Sequence, residues 1–382
     1  MDSLVDVWPT PRAAYLHVPF CRHRCGYCNF SVVADRDDLI ERYLKAIDKE
    51  LRILGRPVVD TLFVGGGTPT HFDIKTLDRF LGMVGQRFQL ADAGEWTMEA
   101  NPEDITSEKI TLLAEYGVNR ISLGVQSFNP NKLALLERGH SAQVATAAVE
   151  LAAEVIGNVS IDLIFAAPGE TLADWLTDLE LAIQLPLQHL STYALTFEKG
   201  TRFWSRRERG DLQSPTESCE VDMYQRTRQV LAESLFKHYE ISSFAKSDAR
   251  CRHNLAYWQG CGWYAAGPGA ARFVEGKREV NHRSTTTYLQ RMESGQCPTA
   301  ETEEITREQY ARERAAFGVR MIDGIDLDVL TSETGISIAE ICSDSIGLSI
   351  SEGLVEVPSP HWIKLSERGI LFADTVASRL LG

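Results

Sequence analysis

The sequence predicts an α/β protein, and two observations predict it. Over the first two-thirds of the chain, short runs of β-branched and apolar residues alternate with longer amphipathic stretches. The chemically notable residues fall just after the β-type runs. Such alternation implies parallel strands joined by right-handed crossovers. Six or seven such units in about 240 residues fit an open or partial barrel, and a doubly wound sheet shares the pattern.

Ala13–Val18 reads as the first strand. A helix over 39–54 follows, with Leu39, Tyr43, Ala46, Ile47, Leu51 and Leu54 at three-to-four spacing. Residues 58–64 form the second strand, ending in Gly65-Gly66-Gly67, and 74–88 read as helix. A strand over 95–99 leads to Asn101-Pro102, then a helix over 107–116 with Ser107 as its cap. Residues 120–125 form the fourth strand, followed by helices over 131–138 and 142–155. The fifth strand covers 158–166, before Pro168-Gly169, and Thr171 caps a helix over 171–183. The sixth strand covers 189–196, a long helix 217–238, and one more strand 239–244. From about residue 300 the texture changes to helices plus one hairpin around Pro358-Ser359-Pro360, resembling a winged helix. The expected division is a core over 1–245, a connecting segment over 246–300 and a small C-terminal helical domain over 301–382.

The composition is that of an ordinary globular chain, with 44% hydrophobic and 24% charged residues. The net charge of −14 argues against a nucleic-acid partner. Residues 301–382 hold 7 basic against 15 acidic residues, so a DNA-binding wing is not expected. The one basic cluster, Arg202, Arg206, Arg207 and Arg209, is mixed with Glu208 and Asp211 and reads as a solvated helix end or loop. No signal-peptide pattern and no transmembrane segment are present, so a cytoplasmic location is expected.

Cys21, Cys25 and Cys28 fall within eight residues. Thiolates are strong ligands for iron–sulfur clusters and zinc, and this spacing lets one loop present three sulfurs to one centre. A [4Fe–4S] cluster usually takes four cysteines, so three leave one iron open to a substrate or cofactor. Half of a zinc site is the rival reading, but Cys219, Cys251, Cys261, Cys297 and Cys342 are scattered, with no second C-x2-C pair.

The C-x3-C-x2-C spacing, with Tyr27 before the last cysteine, resembles the signature of the radical S-adenosylmethionine (SAM) superfamily. The resemblance implies a [4Fe–4S] cluster on the three cysteines, SAM on the fourth iron, and a partial (β/α)6 barrel of the triosephosphate-isomerase type. Further motifs are similar to the coproporphyrinogen-dehydrogenase-like branch over residues 13 to about 245. That match implies SAM contacts from Tyr15, Gly66, Gly67, Thr68, Glu99, Gln126, Arg138, Asp162 and Ala194. In residue terms, Glu99 suits a cation, Arg138 could pair bidentately with a carboxylate, and Asp162, in an apolar strand, suits ribose hydroxyls. His253-Asn254-Leu255-Ala256-Tyr257-Trp258 resembles the H-N-x-x-Y-W motif of the HemW-type haem chaperones. It implies haem binding, with His253 as an axial nitrogen and Tyr257 and Trp258 packing on the porphyrin. The glycine-rich run 262–272 could shape a flat pocket or simply form a structural turn.

Two functions share these motifs: oxygen-independent coproporphyrinogen III dehydrogenase, and haem chaperone. The dehydrogenases carry a fourth cysteine where this chain has Phe30, and a long arm where only about a dozen residues precede Ala13. Both departures, with the H-N-x-x-Y-W string, favour a haem chaperone that delivers haem to acceptor haem proteins such as membrane respiratory enzymes. A radical SAM methyltransferase of the same branch is the third candidate.

Overall fold

The computed structural model describes residues 8–382. Six strands stand side by side in chain order and pair in parallel. They are β1 (Ala13–Val18), β2 (Val58–Gly66), β3 (Gln89–Ala100), β4 (Arg120–Gln126), β5 (Val159–Phe165) and β6 (His189–Ala194). Helices Ile40–Ile53, Ile74–Arg87, Ser107–Glu115, Ala142–Val155 and Leu172–Ile183 carry the crossovers. Strands covered on both faces read as nearly continuous apolar runs. β5, Val-Ser-Ile-Asp-Leu-Ile-Phe, follows this rule except at Ser160 and Asp162, and only Asp162 is part-exposed. The crossover helices instead bury one stripe, such as Leu77, Phe80, Leu81 and Val84.

The sheet does not close. β6 pairs antiparallel with β8 (Ser243–Ala245), which pairs with β7 (Lys237–Glu240) at one edge. On the other side β1 pairs in parallel with β9 (Trp263–Ala266). Antiparallel β10 (Ala271–Val274), β11 (Lys277–Asn281) and β12 (Thr299–Glu304) complete twelve strands. The partial, open arrangement of six βα units is therefore as expected, and the segment 246–300 adds strands to the same sheet. One buried carboxylate ties this addition to the core. Glu50, on the first crossover helix, accepts from Gly267 N–H at 3.0 Å, Asn281 Nδ2 at 2.7 Å and the Tyr288 hydroxyl at 2.7 Å.

Local differences from the sequence reading have local causes. The strand expected over 239–244 is split into β7 and β8 by a turn at Ile241-Ser242, whose Ile241 carbonyl accepts from the Tyr224 hydroxyl at 2.7 Å. The long helix stops at Glu233 because Leu235 takes φ 66, and Phe236 N–H folds back onto Leu231 O. Thr106, not Ser107, caps its helix by accepting from Lys109 N–H at 3.3 Å. The helix expected over 131–138 ends at Leu135, and Glu137 at φ 58 turns the chain so that Arg138 points back to the sheet. Thr171 caps as expected, within a reciprocal capping box.

The C-terminal region packs helices Arg307–Gly318, Leu327–Thr334, Ser343–Ser351 and Ala373–Leu381 around a three-stranded sheet. Its strands are β13 (Ile325–Asp326), β14 (Val355–Ser359) and β15 (Trp362–Leu365), in the order β13-β15-β14. The chain closes with two helical segments, Glu367–Ile370 and Ala373–Leu381, separated at Leu371-Phe372. Their apolar side chains join the main core.

Candidate cluster and cofactor site

The cysteine loop leaves the C-terminal end of β1. Phe20–Cys21 pairs in parallel with Val33–Ala34, which clasps the loop at its base. Within it, Cys28 N–H donates to Cys25 O at 3.1 Å and Val32 N–H to Phe30 O at 2.9 Å. Cys21, Cys25 and Cys28 line one cavity with the ends of β2 to β5. Gly66, Gly67, Thr68, Glu99, Gln126, Arg138 and Asp162 all face it, as the sequence reading required. Among the described residues no three His, Cys, Asp or Glu side chains converge on one ion position. Three thiols on one cavity wall are a donor set that suits an iron–sulfur cluster.

The first two cysteines are linked through the strand ends. Cys21 Sγ lies 3.7 Å from the Thr68 hydroxyl, which accepts from Asn101 Nδ2 at 3.0 Å. Arg138 Nη2 donates to Asn101 Oδ1 and to Gly124 O, each at 2.7 Å, and its Nη1 lies 3.7 Å from Cys25 Sγ. Arg138 thus pairs with no carboxylate among the described residues. Asn101, Ser122 and Gly124 also line the cavity, and the sequence reading missed them. Ser122 left a signal, a polar residue inside the apolar run Ile121-Ser-Leu-Gly-Val125.

Two glycines permit the approach of β2 to the loop. Gly66 sits at φ 106 and donates its N–H to Glu99 Oε2 at 2.9 Å. A Cβ on Gly67 would lie 2.6 Å from Phe20 O. Gln126 holds φ 66 at the end of β4. A non-glycine residue pays roughly 1–2 kcal/mol for that conformation, and such strain collects at functional sites.

Burial dominates the electrostatics. It pushes the Cys21 thiol up to about 12 and raises Cys28 as well. A bound metal centre reverses this and takes the thiolates. Burial and then the neighbouring Asp162 charge raise Glu99 to about 7. Burial raises Asp162 to about 6, against hydrogen bonds from Ser191 and Ser122 and the charges of Arg120 and Arg138. Two mutually repelling carboxylates on one cavity wall are suited to receive a cation.

A second cavity of about 510 Å³ adjoins the first, and Phe30 and Glu99 line both. Its walls include Tyr15, Phe63, His253, Tyr257, Trp263 and Arg283. Tyr15 therefore faces this chamber rather than the cysteines. Ala194, at the end of β6, lines neither cavity. His253 is buried and stacked on Phe63 with ring centres 4.9 Å apart. Its Nδ1 is 2.9 Å from the Thr61 hydroxyl and its Nε2 3.0 Å from the Tyr257 hydroxyl, so neither ring nitrogen is free for a metal in this state. Trp258 lies outside the chamber, with the Arg320 guanidinium over its ring at 5.2 Å. The basic cluster 202–209 forms a helix, Arg202–Glu208, packed on the cysteine loop. Phe203 N–H donates to Gly26 O at 2.9 Å, and Arg202 Nη2 to Arg24 O at 2.7 Å.

An open parallel sheet with three loop cysteines facing its strand ends defines a radical SAM protein. Residues 15–182 match the Radical SAM superfamily and residues 305–372 the HemN C-terminal domain. The "Heme chaperone HemW" of Bacillus subtilis (strain 168) is 31% identical over 377 residues, covering 97% of this chain and 99% of that one. The protein of the same name from Mycobacterium tuberculosis (strain H37Rv) is 35% identical over 390 aligned positions, covering 100% of this chain and 98% of that one. This chain belongs to the HemW family of radical SAM proteins. The solved coproporphyrinogen III oxidase (HemN) of Escherichia coli superposes with a TM-score of 0.85 at 21% identity, covering 98% of this chain and 91% of that one, which shows the shared fold. No helix among the described residues is long and apolar enough to cross a membrane.

Proposed function

We propose that this chain is a haem chaperone. It binds haem and passes it to acceptor haem proteins in the cytoplasm or at the membrane face. The single observation that carries this reading is its full-length similarity to proteins named heme chaperones. Cys21, Cys25 and Cys28 would hold a [4Fe–4S] cluster, with SAM at the open iron. When bound, that pair supplies a one-electron centre beside a cationic cofactor. Gly66 and Gly67 open backbone to SAM, and Thr68 and Arg138 brace the wall. Glu99 would receive the SAM cation and Asp162 its ribose, and Gln126 lines the same cavity. Tyr15 and Ala194, off the cavity wall, act on SAM only through neighbouring side chains.

The aromatic chamber is the haem site in this reading. Tyr15, Phe63 and Trp263 offer ring faces and edges to a porphyrin. Arg283, exposed at the mouth, suits a propionate. His253 would ligate the haem iron if Tyr257 released Nε2, and Tyr257 would then pack on the porphyrin. Trp258 supports the motif helix from its far side. The test uses anaerobically reconstituted protein with SAM. Haem is titrated and the Soret band followed, then coproporphyrinogen III is supplied and carboxylate loss measured. Stoichiometric haem binding without decarboxylation is the expected result. Decarboxylation without stable haem binding overturns it in favour of the dehydrogenase.

A further inference from the structure

The arginines of the cysteine loop and of helix Arg202–Glu208 form one surface. Arg22 and Arg24 are exposed on the loop, and Arg202, Arg207 and Arg209 on the helix, with Arg206 half-buried beside them. The two segments are fastened by Phe203 N–H to Gly26 O, by Arg202 to Arg24 O, and by an edge contact between the Tyr27 and Phe203 rings at 6.0 Å. Nearby carboxylates neutralise part of the charge. Buried Asp104 takes Arg22, Glu137 takes Arg202 and His23, and Asp211 takes Arg209. Glu208 lies exposed among them. Arg24, Arg206 and Arg207 have no carboxylate partner among the described residues; Arg206 and Arg207 lie over the Phe203 and Phe197 rings at 5.6 and 5.1 Å. Such a face is out of character for a chain of net charge −14. Its loop side reaches the cysteine cavity, whose wall includes His23, Arg24 and Phe30, the last 64% exposed.

We propose that this face docks a small acidic one-electron carrier of the ferredoxin class. The proposal rests on the cluster reading above. The net charge of the molecule repels an acidic carrier and this basic face attracts it, so the field favours approach beside the cysteine loop, where an electron must enter. A transient electron-transfer contact needs only a small interface. In the step itself one electron leaves the carrier's iron–sulfur centre, which is oxidised. It enters the cluster held by Cys21, Cys25 and Cys28, which is reduced. No bond is made or broken and no proton moves.

The test compares the parent with Arg206→Glu/Arg207→Glu and Arg206→Lys/Arg207→Lys, each cluster-reconstituted. Reduction by pre-reduced plant-type [2Fe–2S] ferredoxin and by dithionite is followed by stopped-flow absorbance. Retention of the cluster-free chains on immobilised ferredoxin gives a second readout. The glutamate pair is expected to slow ferredoxin-driven reduction at least about tenfold at low salt, while the lysine pair stays within about twofold. Dithionite reduction should be alike in all three. Retention of the parent should be lost at high salt. An unchanged ferredoxin rate in the glutamate pair overturns the proposal. So does binding to phosphatidylglycerol vesicles that the glutamate pair abolishes while leaving ferredoxin unaffected, which would assign the face to a membrane. Failure of the parent to form a dithionite-reducible cluster overturns the cluster reading instead, and column retention then decides the docking.

Discussion

The cysteine cavity and the aromatic chamber meet at Phe30 and Glu99, yet they are built by opposite means. The first is assembled from the loop after β1 and the ends of β2 to β5, all in one continuous parallel core. Its polar groups are held by each other, as in the run from Cys21 through Thr68, Asn101 and Arg138 to Cys25. The second needs β1 and β2 on one side and residues 253–283 on the other, joined late in the sequence. Its wall is aromatic, and its two buried imidazoles, His17 and His253, are each tied at both nitrogens. A preorganised polar site binds without rearrangement; a chamber whose ligand must be released can be loaded and unloaded. That difference suits a fixed cofactor beside a cargo that is passed on.

Removing the cysteines should separate the two chambers most sharply. Cys21→Ala, Cys25→Ala and Cys28→Ala are each expected to abolish the absorbance near the cluster's visible band and the bound iron and sulfide. Haem binding, read at the Soret band, should survive in all three. Intact iron and sulfide in any one of them contradicts the ligand assignment, and loss of haem in all three would mean that the chambers act as one.

Glu50→Ala should have the next largest effect, and in the opposite place. The carboxylate is buried, and burial raises its pKa against bonds from Tyr288, Asn281 and Gly267. Its removal strands three buried donors, a loss of about 3–5 kcal/mol in chemical denaturation. The glycine-rich wall of the aromatic chamber hangs on this residue, so haem affinity should fall while cluster content per folded molecule does not. Glu50→Gln keeps the shape and one acceptor, and is expected to recover part of the stability. Equal loss of cluster and haem would show that the β9–β12 addition and the parallel core are a single cooperative unit.

His253→Ala and Tyr257→Phe then probe the chamber from inside. The first should abolish the haem-bound Soret shift. The second removes the hydroxyl that engages Nε2, and should tighten haem by a few-fold, since about 1 kcal/mol of internal hydrogen bonding no longer competes. Weaker haem in Tyr257→Phe would instead make the tyrosine oxygen part of the haem site.

How much of this was legible in the sequence follows the same divide. The six parallel strands, the crossover helices and ten of the twelve residues expected at the cysteine site rest on short-range pattern, apolar runs ending in glycine or a polar residue. Tyr15 and Ala194 share those patterns but point elsewhere, because a strand's alternation fixes which face a side chain takes and a motif position does not. The second chamber depended on pairings distant in the chain. β9 joins β1 across some 250 residues, and nothing local to Trp263-Tyr-Ala-Ala266 announces its partner. The H-N-x-x-Y-W string was visible, but not that Thr61 and Tyr257 occupy the histidine, nor that Trp258 turns outward to Arg320. Likewise Arg202–Glu208 looked like solvated charge because its contact, the cysteine loop, lies far upstream.

The smallest effect tests the shared wall. Glu99 is raised from 4.5 to about 7 chiefly by burial, then by Asp162. A carboxyl whose folded value exceeds its unfolded one holds its proton more tightly when folded. Its contribution therefore favours the fold below about pH 4.5 and is lost as the pH rises through about 7. A cation bound beside Glu99 favours the ionised form and offsets that loss. Melting curves of the cluster-loaded protein should thus show SAM raising Tm more at pH 8 than at pH 5.5, and Glu99→Gln should flatten the difference. An equal gain at both pH values in the parent would place the SAM cation away from Glu99 and leave that residue to the aromatic chamber alone.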